Sequence, residues 1–165
     1  MARQAHWGIE VVPVQTGKRL ASINADKRFI PASTAKLFPA AAALARLGPN
    51  FQYRTTVETA ASVTPDGRVP GDLVLVGRGD PNLSGRVLPY NGNTERVRPP
   101  TLALEDLASQ VARRGIHIVE GDLVVDDTYF ISQPFGQGWT LDDLQWGYGA
   151  PVTAMALNDN VIVFR

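Results

Sequence analysis

A serine and a lysine stand three residues apart in the stretch PASTAKL, residues 31–37. Side chains three apart lie on one face of a helix, with their Cβ atoms about 5–6 Å apart. The Lys36 amine can therefore reach the Ser33 hydroxyl. A hydroxyl becomes a good nucleophile when a neighbouring base takes its proton, and a lysine amine is such a base when desolvation or a nearby cation keeps it neutral. The spacing predicts nucleophilic catalysis with Ser33 as nucleophile and Lys36 as base.

The same pair has a structural interpretation, in which Ser33 caps a helix and Lys36 is solvated. The surrounding sequence favours the chemical one, because residues 33–47 form an alanine- and leucine-rich stretch that predicts a helix. A helix apolar nearly all round is typical of a buried one, so we expect Lys36 to be desolvated. Free N–H groups at the helix start favour an oxyanion there. Pro39 predicts a kink just after Lys36.

A β-hairpin is predicted before this helix, from residues 7–14 and 18–24 with a turn at 15–17. The triplet Ser22-Ile23-Asn24 lies within the second of these predicted strands.

The second half of the chain predicts a strand-rich α+β arrangement. Strands are expected at 51–59, 71–77, 116–126 and 160–164, and a helix at 101–114. The segments GDLVL and GDLVV, which begin at Gly71 and Gly121, echo each other, and we expect two similar strands of one unit. Among polar clusters, the Asp126-Asp127 and Asp142-Asp143 pairs predict loop and strand-end roles. The tripeptide Arg78-Gly79-Asp80 predicts a tight turn, and the aromatic residues Trp139, Trp146 and Tyr148 predict a packed loop that could also touch glycan or peptide.

Composition narrows the function classes. The 165 residues are 44% hydrophobic and 19% charged, which indicates a globular chain. Sixteen basic residues balance 16 acidic ones, so no charge excess favours nucleic acid or an anionic membrane. Cysteine is absent, which excludes disulfides and thiolate metal sites. No apolar run approaches the roughly 20 residues of a transmembrane helix, and no signal-peptide core follows Met1. We expect no cofactor.

Four stretches resemble one group of enzymes. The segment FIPASTAKL at 29–37, followed by AAAAL at 40–44, is similar to the nucleophile region of penicillin-binding proteins and serine β-lactamases. The segments at 71–81, 121–130 and 150–160 resemble the low-molecular-mass class C penicillin-binding proteins. These are D-Ala-D-Ala carboxypeptidases and endopeptidases that act on peptidoglycan.

This resemblance implies a function and a division of the chain. Ser33 would attack the carbonyl between the two terminal D-alanines of a peptidoglycan stem peptide, Lys36 would act as base, and β-lactams would acylate the same serine. Residues 1–57 would be the N-terminal segment of a β-lactamase/transpeptidase-like catalytic domain, with a β-hairpin and a buried nucleophile helix. Residues 58–165 would be part of an inserted α+β domain. The substrate implies a periplasmic or extracytoplasmic location.

The sequence departs from the family in two motifs. No S-x-N, a motif of family members, follows Ser33. Ser22-Ile23-Asn24 fits it but precedes Ser33 within a predicted strand, so we interpret it as a chance match. Asn158-Asp159-Asn160 carries asparagine where the motif needs a hydroxyl, and we expect a turn there before the last strand. No lysine follows Lys36 and His117 precedes isoleucine, so neither K-T-G nor H-T-G occurs. We therefore expect an N-terminal fragment that hydrolyses substrate poorly or not at all. A β-lactamase or esterase of the same superfamily, and a non-catalytic cell-wall binding module, remain alternatives.

Overall fold

The computed structural model of the chain describes residues 5–87, 89, 91–92 and 96–162. It divides into two compact units, Met1–Phe51 (unit 1) and Gln52–Arg165 (unit 2). Each unit contains both helix and strand, which confirms the α+β class. These compact units do not show which functional domain each segment belongs to. The predicted division into a catalytic segment (1–57) and an inserted domain (58–165) therefore stays a prediction.

Unit 1 contains the predicted hairpin and helix. Strands β1 (Ile9–Val11) and β2 (Ala21–Ile23) pair antiparallel, with Glu10 opposite Ser22. The turn between them is closed by a hydrogen bond from the Gly17 N–H to the Pro13 carbonyl at 2.9 Å, and Gly17 adopts a φ of 64°. A 3₁₀ turn (Ala32–Lys36) leads directly into helix α1 (Leu37–Leu47). The helical segment thus spans the predicted range with one residue added at its start.

The predicted burial of this helix is wrong for the chain as it stands. No residue of α1 is buried, and the side chains of Leu37 and Phe38 are 70% and 78% exposed. The physical reason is the size of the unit. Two three-residue strands and one helix leave no second layer within unit 1 that is large enough to cover an apolar helix on all sides.

Unit 2 is built around a three-stranded sheet in the order β3-β5-β7. Its elements are β3 (Thr56–Glu58), β4 (Arg68–Val69), β5 (Leu73–Val76), α2 (Leu102–Arg113), β6 (Ile118–Val119) and β7 (Leu123–Asp126), followed by three short 3₁₀ turns at Asp143–Gln145, Gly147–Gly149 and Asn158–Asn160. Strand β3 is antiparallel to β5, β5 is parallel to β7, and β4 pairs with β6 in a separate parallel pair.

The two echoing segments of the sequence are paired with each other. Leu73 stands opposite Leu123 and Leu75 opposite Val125 in a parallel register. Just before these strands the Asp122 N–H donates to Asp72 Oδ1 at 2.8 Å, so the Gly-Asp steps meet as well. The expectation of two similar strands in one unit is confirmed.

Helix α2 lies within the predicted range and shares an apolar cavity with the sheet. The cavity has a volume of about 620 Å³ and is lined by Leu104, Leu107 and Val111 of the helix and by Leu73 and Leu75 of the sheet, among others. Leu73 and Leu75 are themselves buried. The alternation of buried and half-buried residues along β5 follows from the two-residue period of a strand.

The strand predicted at 160–164 is not observed in residues 160–162, and residues 163–165 lie outside the described residues. Asn158, Asp159 and Asn160 instead form a turn in the left-handed region, with φ angles of 51°, 59° and 55°. Asparagine and aspartate tolerate this region better than most residues. Side-chain bonds fix the turn: Arg86 donates to both carboxylate oxygens of Asp159, at 2.5 and 2.6 Å, and Arg96 lies 3.4 Å from one of them.

Gly121 occupies a place that admits no side chain. A Cβ atom there would lie 2.5 Å from the Gly71 carbonyl carbon and 2.7 Å from the Asp72 nitrogen. We expect Gly121→Ala to destabilise unit 2 by about 1–3 kcal/mol, because backbone atoms must shift. Gly147→Ala is the matched control, since a Cβ at that position makes only an ordinary contact of 3.6 Å. Urea unfolding of both variants provides the measurement, and equal stability for the two would contradict the close approach.

Asp159 gives a second prediction, which depends on pH. Hydrogen bonds from Arg86 hold the pKa of the Asp159 carboxyl below its ordinary value of 3.8. A lowered pKa in the folded state stabilises the fold above pH 3.8, and this stabilisation is lost as the pH falls further. We expect Asp159→Asn to cost about 1–2 kcal/mol at pH 7 and less near pH 3. Urea unfolding of Asp159→Asn and of the unchanged chain at pH 7 and pH 3 provides the measurement, and an equal cost at the two pH values would contradict the prediction.

Candidate active site

Ser33 and Lys36 lie in the 3₁₀ turn that precedes α1. A 3₁₀ helix has three residues per turn, so side chains at i and i+3 lie directly above one another. The pair is therefore aligned more closely than the α-helix expected from the sequence would align it. The local geometry of the turn, and not a distant contact, brings the two groups together.

The Lys36 amine donates a hydrogen bond to the Ser33 hydroxyl, with Nζ 3.1 Å from Oγ. This is the reach that proton transfer between a nucleophile and its base requires. Both side chains are exposed to solvent in this chain. The described residues thus supply the contact between the two groups but not the apolar cover that would favour a neutral amine.

Pro39 follows the 3₁₀ turn closely. Because proline has no N–H, residue 39 donates no α-helical bond to the Ala35 carbonyl. The Leu37 N–H donates to the Thr34 carbonyl, an i to i−3 bond. The transition from 3₁₀ to α geometry lies between Lys36 and Leu37, where the sequence predicted a kink. Pro39 is the third residue of α1, within the first turn, where N–H groups lack intrahelical acceptors in any case.

The backbone ahead of Ser33 is tightly turned. Ala32 has a φ of 45°, in the left-handed region that residues with a Cβ rarely adopt. The Thr34 N–H donates to the Pro31 carbonyl at 3.1 Å, and the Thr34 hydroxyl donates to the same oxygen. Ser33 therefore lies within the first turn of the helical segment, where backbone N–H groups point outward without intrahelical partners.

The two alternative matches to S-x-N have structural roles. Ser22 lies in β2 opposite Glu10, and Asn24 Nδ2 donates to the Trp7 carbonyl at 2.9 Å, which ties the open end of the hairpin. Asn160 Nδ2 donates to the Pro151 carbonyl at 2.8 Å. Both asparagine side chains are thus used to hold the backbone, and Asn158–Asn160 form a turn, as expected.

The acidic pairs and the Arg-Gly-Asp tripeptide also serve the fold. Asp126 accepts from the N–H and the hydroxyl of Thr128, which lowers the pKa of the Asp126 carboxyl, and Asp143 accepts in the same way from Thr140. Arg78 donates to the Thr56 hydroxyl at 2.6 Å and to the Glu58 carboxylate at 2.9 Å. Asp126 ends strand β7 and Asp143 begins a 3₁₀ turn, in agreement with the predicted strand-end and loop roles, and the Arg78 side chain is engaged with strand β3.

The aromatic residues near the end of unit 2 contact each other but remain accessible. Trp146 stacks on Tyr148 with ring centroids 6.5 Å apart, and Trp139 meets Phe135 edge-on at 5.9 Å. Trp146 and Tyr148 are nevertheless 57% and 70% exposed. The prediction of a packed loop holds for ring-to-ring contact and is wrong for burial, since the loop presents both rings to solvent.

Among the described residues, no group of three or more histidine, cysteine, aspartate or glutamate side chains is placed to hold a metal ion. None of the helices in the same ranges is both long and apolar enough to cross a membrane.

Comparison with known proteins gives a consistent result. The family model described as the D-Ala-D-Ala carboxypeptidase 3 (S13) family matches residues 2–165. The D-alanyl-D-alanine carboxypeptidase of Actinomadura sp. strain R39 is 36% identical over 150 residues, which cover 91% of this chain and 25% of the relative. The D-alanyl-D-alanine carboxypeptidase DacB of Haemophilus influenzae is 29% identical over 86% of this chain and 26% of the relative. The chain thus spans about a quarter of the length of these relatives.

Solved structures agree with the sequence comparison. The crystal structure of penicillin binding protein 4 (dacB) from Haemophilus influenzae matches with a TM-score of 0.76 and 28% identity, over 93% of this chain and 30% of that chain. A structure of the same protein complexed with a novel β-lactam matches with a TM-score of 0.57 over 72% of this chain and 24% of that chain.

The position of Pro39 predicts that this residue is tolerated in helix α1 and does not strain it. In the first turn of α1 it breaks no hydrogen bond, so we expect Pro39→Ala to change the stability of the helix by no more than about 1 kcal/mol. Ala43→Pro, in the interior of the same helix, should cost about 3 kcal/mol or more. Backbone ¹³C chemical shifts of α1 report helicity in both variants. A large gain in helicity for Pro39→Ala would show that Pro39 strains the helix.

Proposed function

This chain belongs to the D-Ala-D-Ala carboxypeptidase 3 (S13) family, and we propose that it carries the nucleophile of a serine D-alanyl-D-alanine carboxypeptidase acting on peptidoglycan. One observation carries the proposal most directly: the Lys36 amine lies 3.1 Å from the Ser33 hydroxyl, at the head of α1. The resemblance to relatives with this printed activity supports the reaction class.

In the proposed reaction, the Ser33 hydroxyl attacks the carbonyl carbon between the two terminal D-alanines of a stem peptide. Lys36, in its neutral form, takes the hydroxyl proton as the bond from Oγ to carbon forms. The peptide bond then breaks, and the terminal D-alanine leaves with a proton on its amine. Water hydrolyses the ester that remains on Ser33, which releases the shortened peptide and restores the serine. A β-lactam, whose strained amide resembles this peptide bond, acylates the same hydroxyl.

The pair alone does not complete such a site. Acyl transfer also needs two donors toward the developing oxyanion and groups that dock the substrate. The Ser33 N–H at the head of the helical segment suits one of those donors. The 165 residues contain no K-T-G or H-T-G and no S-x-N after Ser33, so we infer that this chain by itself turns over substrate poorly. The substrate places the reaction in the periplasm or another extracytoplasmic space.

The alternatives differ from this proposal in what they require of the chain. A compact β-lactamase or esterase would not need unit 2, whereas the match to carboxypeptidase relatives extends through unit 2 to residue 165. A non-catalytic cell-wall binding module would not need the contact between Ser33 and Lys36. Both observations favour the carboxypeptidase.

Covalent labelling by penicillin tests the proposal. We expect slow acylation of the chain at high penicillin concentration, seen by intact-mass spectrometry as one adduct on the peptide that contains Ser33. Ser33→Ala should abolish the adduct, and Lys36→Ala should slow its formation about a hundredfold or more, because the general base is lost.

Ser22→Ala is the matched control, since it removes a serine hydroxyl of the hairpin and should leave labelling unchanged. An adduct that persists in Ser33→Ala, or no adduct in the unchanged chain, would argue against a preformed nucleophile at this position. Rapid stoichiometric acylation would contradict the inference that the absent motifs matter.

A further inference from the structure

The ring of Phe29 rests on the backbone of the hairpin at Gly8. A Cβ atom built on Gly8 would lie 2.6 Å from Phe29 Cζ and closer still to Cε2, so the ring occupies the space of a side chain at that position. The His6 ring stacks on the same phenyl ring, with centroids 5.3 Å apart and planes 23° from parallel. Phe29 is thus held between the residues that lead into β1, although 44% of its surface remains exposed.

Only three residues separate Phe29 from Ser33. Pro31 is fixed by its ring, with a φ of −72°, and Ala32 adopts its left-handed φ of 45°. The left-handed region is strained for a residue with a Cβ, and such conformations persist only where the surroundings hold both ends of the segment. One end of this segment is the start of the helix. The other end is Phe29 on Gly8.

We propose that Phe29, seated on Gly8, is a positioning residue that holds Ser33 against Lys36. This inference rests on the proposed function, because it assigns a role in the same serine–lysine pair. Phe29 contacts neither reacting group. It acts by fixing the direction from which residues 30–32 enter the 3₁₀ turn, and the turn in turn sets the distance between Oγ and Nζ.

Removal of the Phe29 ring would release the backbone at Ala32. Without Phe29 on Gly8, Ala32 is free to relax to the extended region that most residues with a Cβ prefer. Ser33 then leaves the first turn of the helical segment, and its hydroxyl no longer lies above Lys36. Helix α1 itself begins at Leu37 and has its own hydrogen bonds, so we expect it to survive this change.

The test places a titrating probe at position 33 and requires no catalysis. In the Ser33→Cys variant the introduced thiol occupies the place of the hydroxyl, and a lysine amine in contact lowers the pKa of a thiol from its ordinary value of about 8.5. The rate of alkylation by iodoacetamide is measured against pH to obtain this pKa. The Ser33→Cys/Lys36→Met double variant gives the value without the lysine. We expect the two pKa values to differ by about one pH unit.

Phe29→Ala in the Ser33→Cys background should raise the thiol pKa to that of the double variant. At pH 6.5 this corresponds to a roughly tenfold loss of thiolate and of the alkylation rate it supports. Ile30→Ala is the matched control, since this neighbouring side chain is 93% exposed and should leave the pKa unchanged. Phe29→Tyr, which keeps the ring, should retain the low pKa.

Gly8→Ala keeps the experiment decisive if Phe29→Ala unfolds unit 1. It retains the phenyl ring but displaces it, and backbone ¹³C shifts of α1 and of the hairpin verify that both remain folded. A thiol pKa that stays low in a folded Gly8→Ala or Phe29→Ala variant overturns the positioning role and leaves the proposed function intact. A thiol pKa in Ser33→Cys equal to that of the double variant overturns both, because the contact between the pair would then be absent.

Discussion

The hydrogen bond between the Lys36 amine and the Ser33 hydroxyl depends on a single geometric condition, that residues three apart lie above one another. A 3₁₀ turn satisfies this condition better than an α-helix, whose 3.6 residues per turn rotate position i+3 away from position i. Such turns are short because their hydrogen bonds are poorer, and this one passes into α-geometry at Leu37. Pro39 fits the first turn of α1, because the N–H groups there have no intrahelical acceptors. A residue that the sequence makes awkward for a helix thus stands where a helix tolerates it.

The alignment of Ser33 with Lys36 and the reactivity of the pair depend on different parts of the structure. The alignment is local, because a few residues around the 3₁₀ turn determine it. Reactivity requires the neutral amine, which in proteins follows from burial or from a second cation. Unit 1 has one hairpin and one helix among its elements, and α1 has no buried residue. A unit of this size can therefore preform a serine–lysine contact without being able to desolvate it.

The sequence predicted the elements that depend on local patterns and missed those that depend on contacts between distant residues. The hairpin, both helices and the presence of two similar strands in one unit follow from composition, periodicity and turn residues, and the structure confirms them. The burial of α1 was predicted wrongly, because an apolar composition does not reveal whether another layer exists to cover it. The left-handed geometry of the turn at Asn158–Asn160 was not predicted, because its stability comes from Arg86, which is distant in the sequence. Ser33 and Lys36 were proposed because S-x-x-K is itself a local pattern, and their side chains lie within hydrogen-bonding distance.

Unit 2 contains the buried apolar side chains of the described residues. Its two Gly-Asp segments lie side by side, so close that Gly121 has no room for a Cβ beside the Gly71 backbone. Apolar residues of α2 and of the sheet share one cavity, and Leu73, Leu75 and Val69 are buried. Long-range strand pairing of this kind provides burial that a hairpin and a single helix do not. Ser33, the proposed nucleophile, therefore lies in the unit whose described residues include none of the buried apolar side chains. The restraint proposed for its backbone is steric, a phenyl ring seated on a glycine. Where burial is scarce, steric restraints of this kind hold a short segment in a strained backbone conformation.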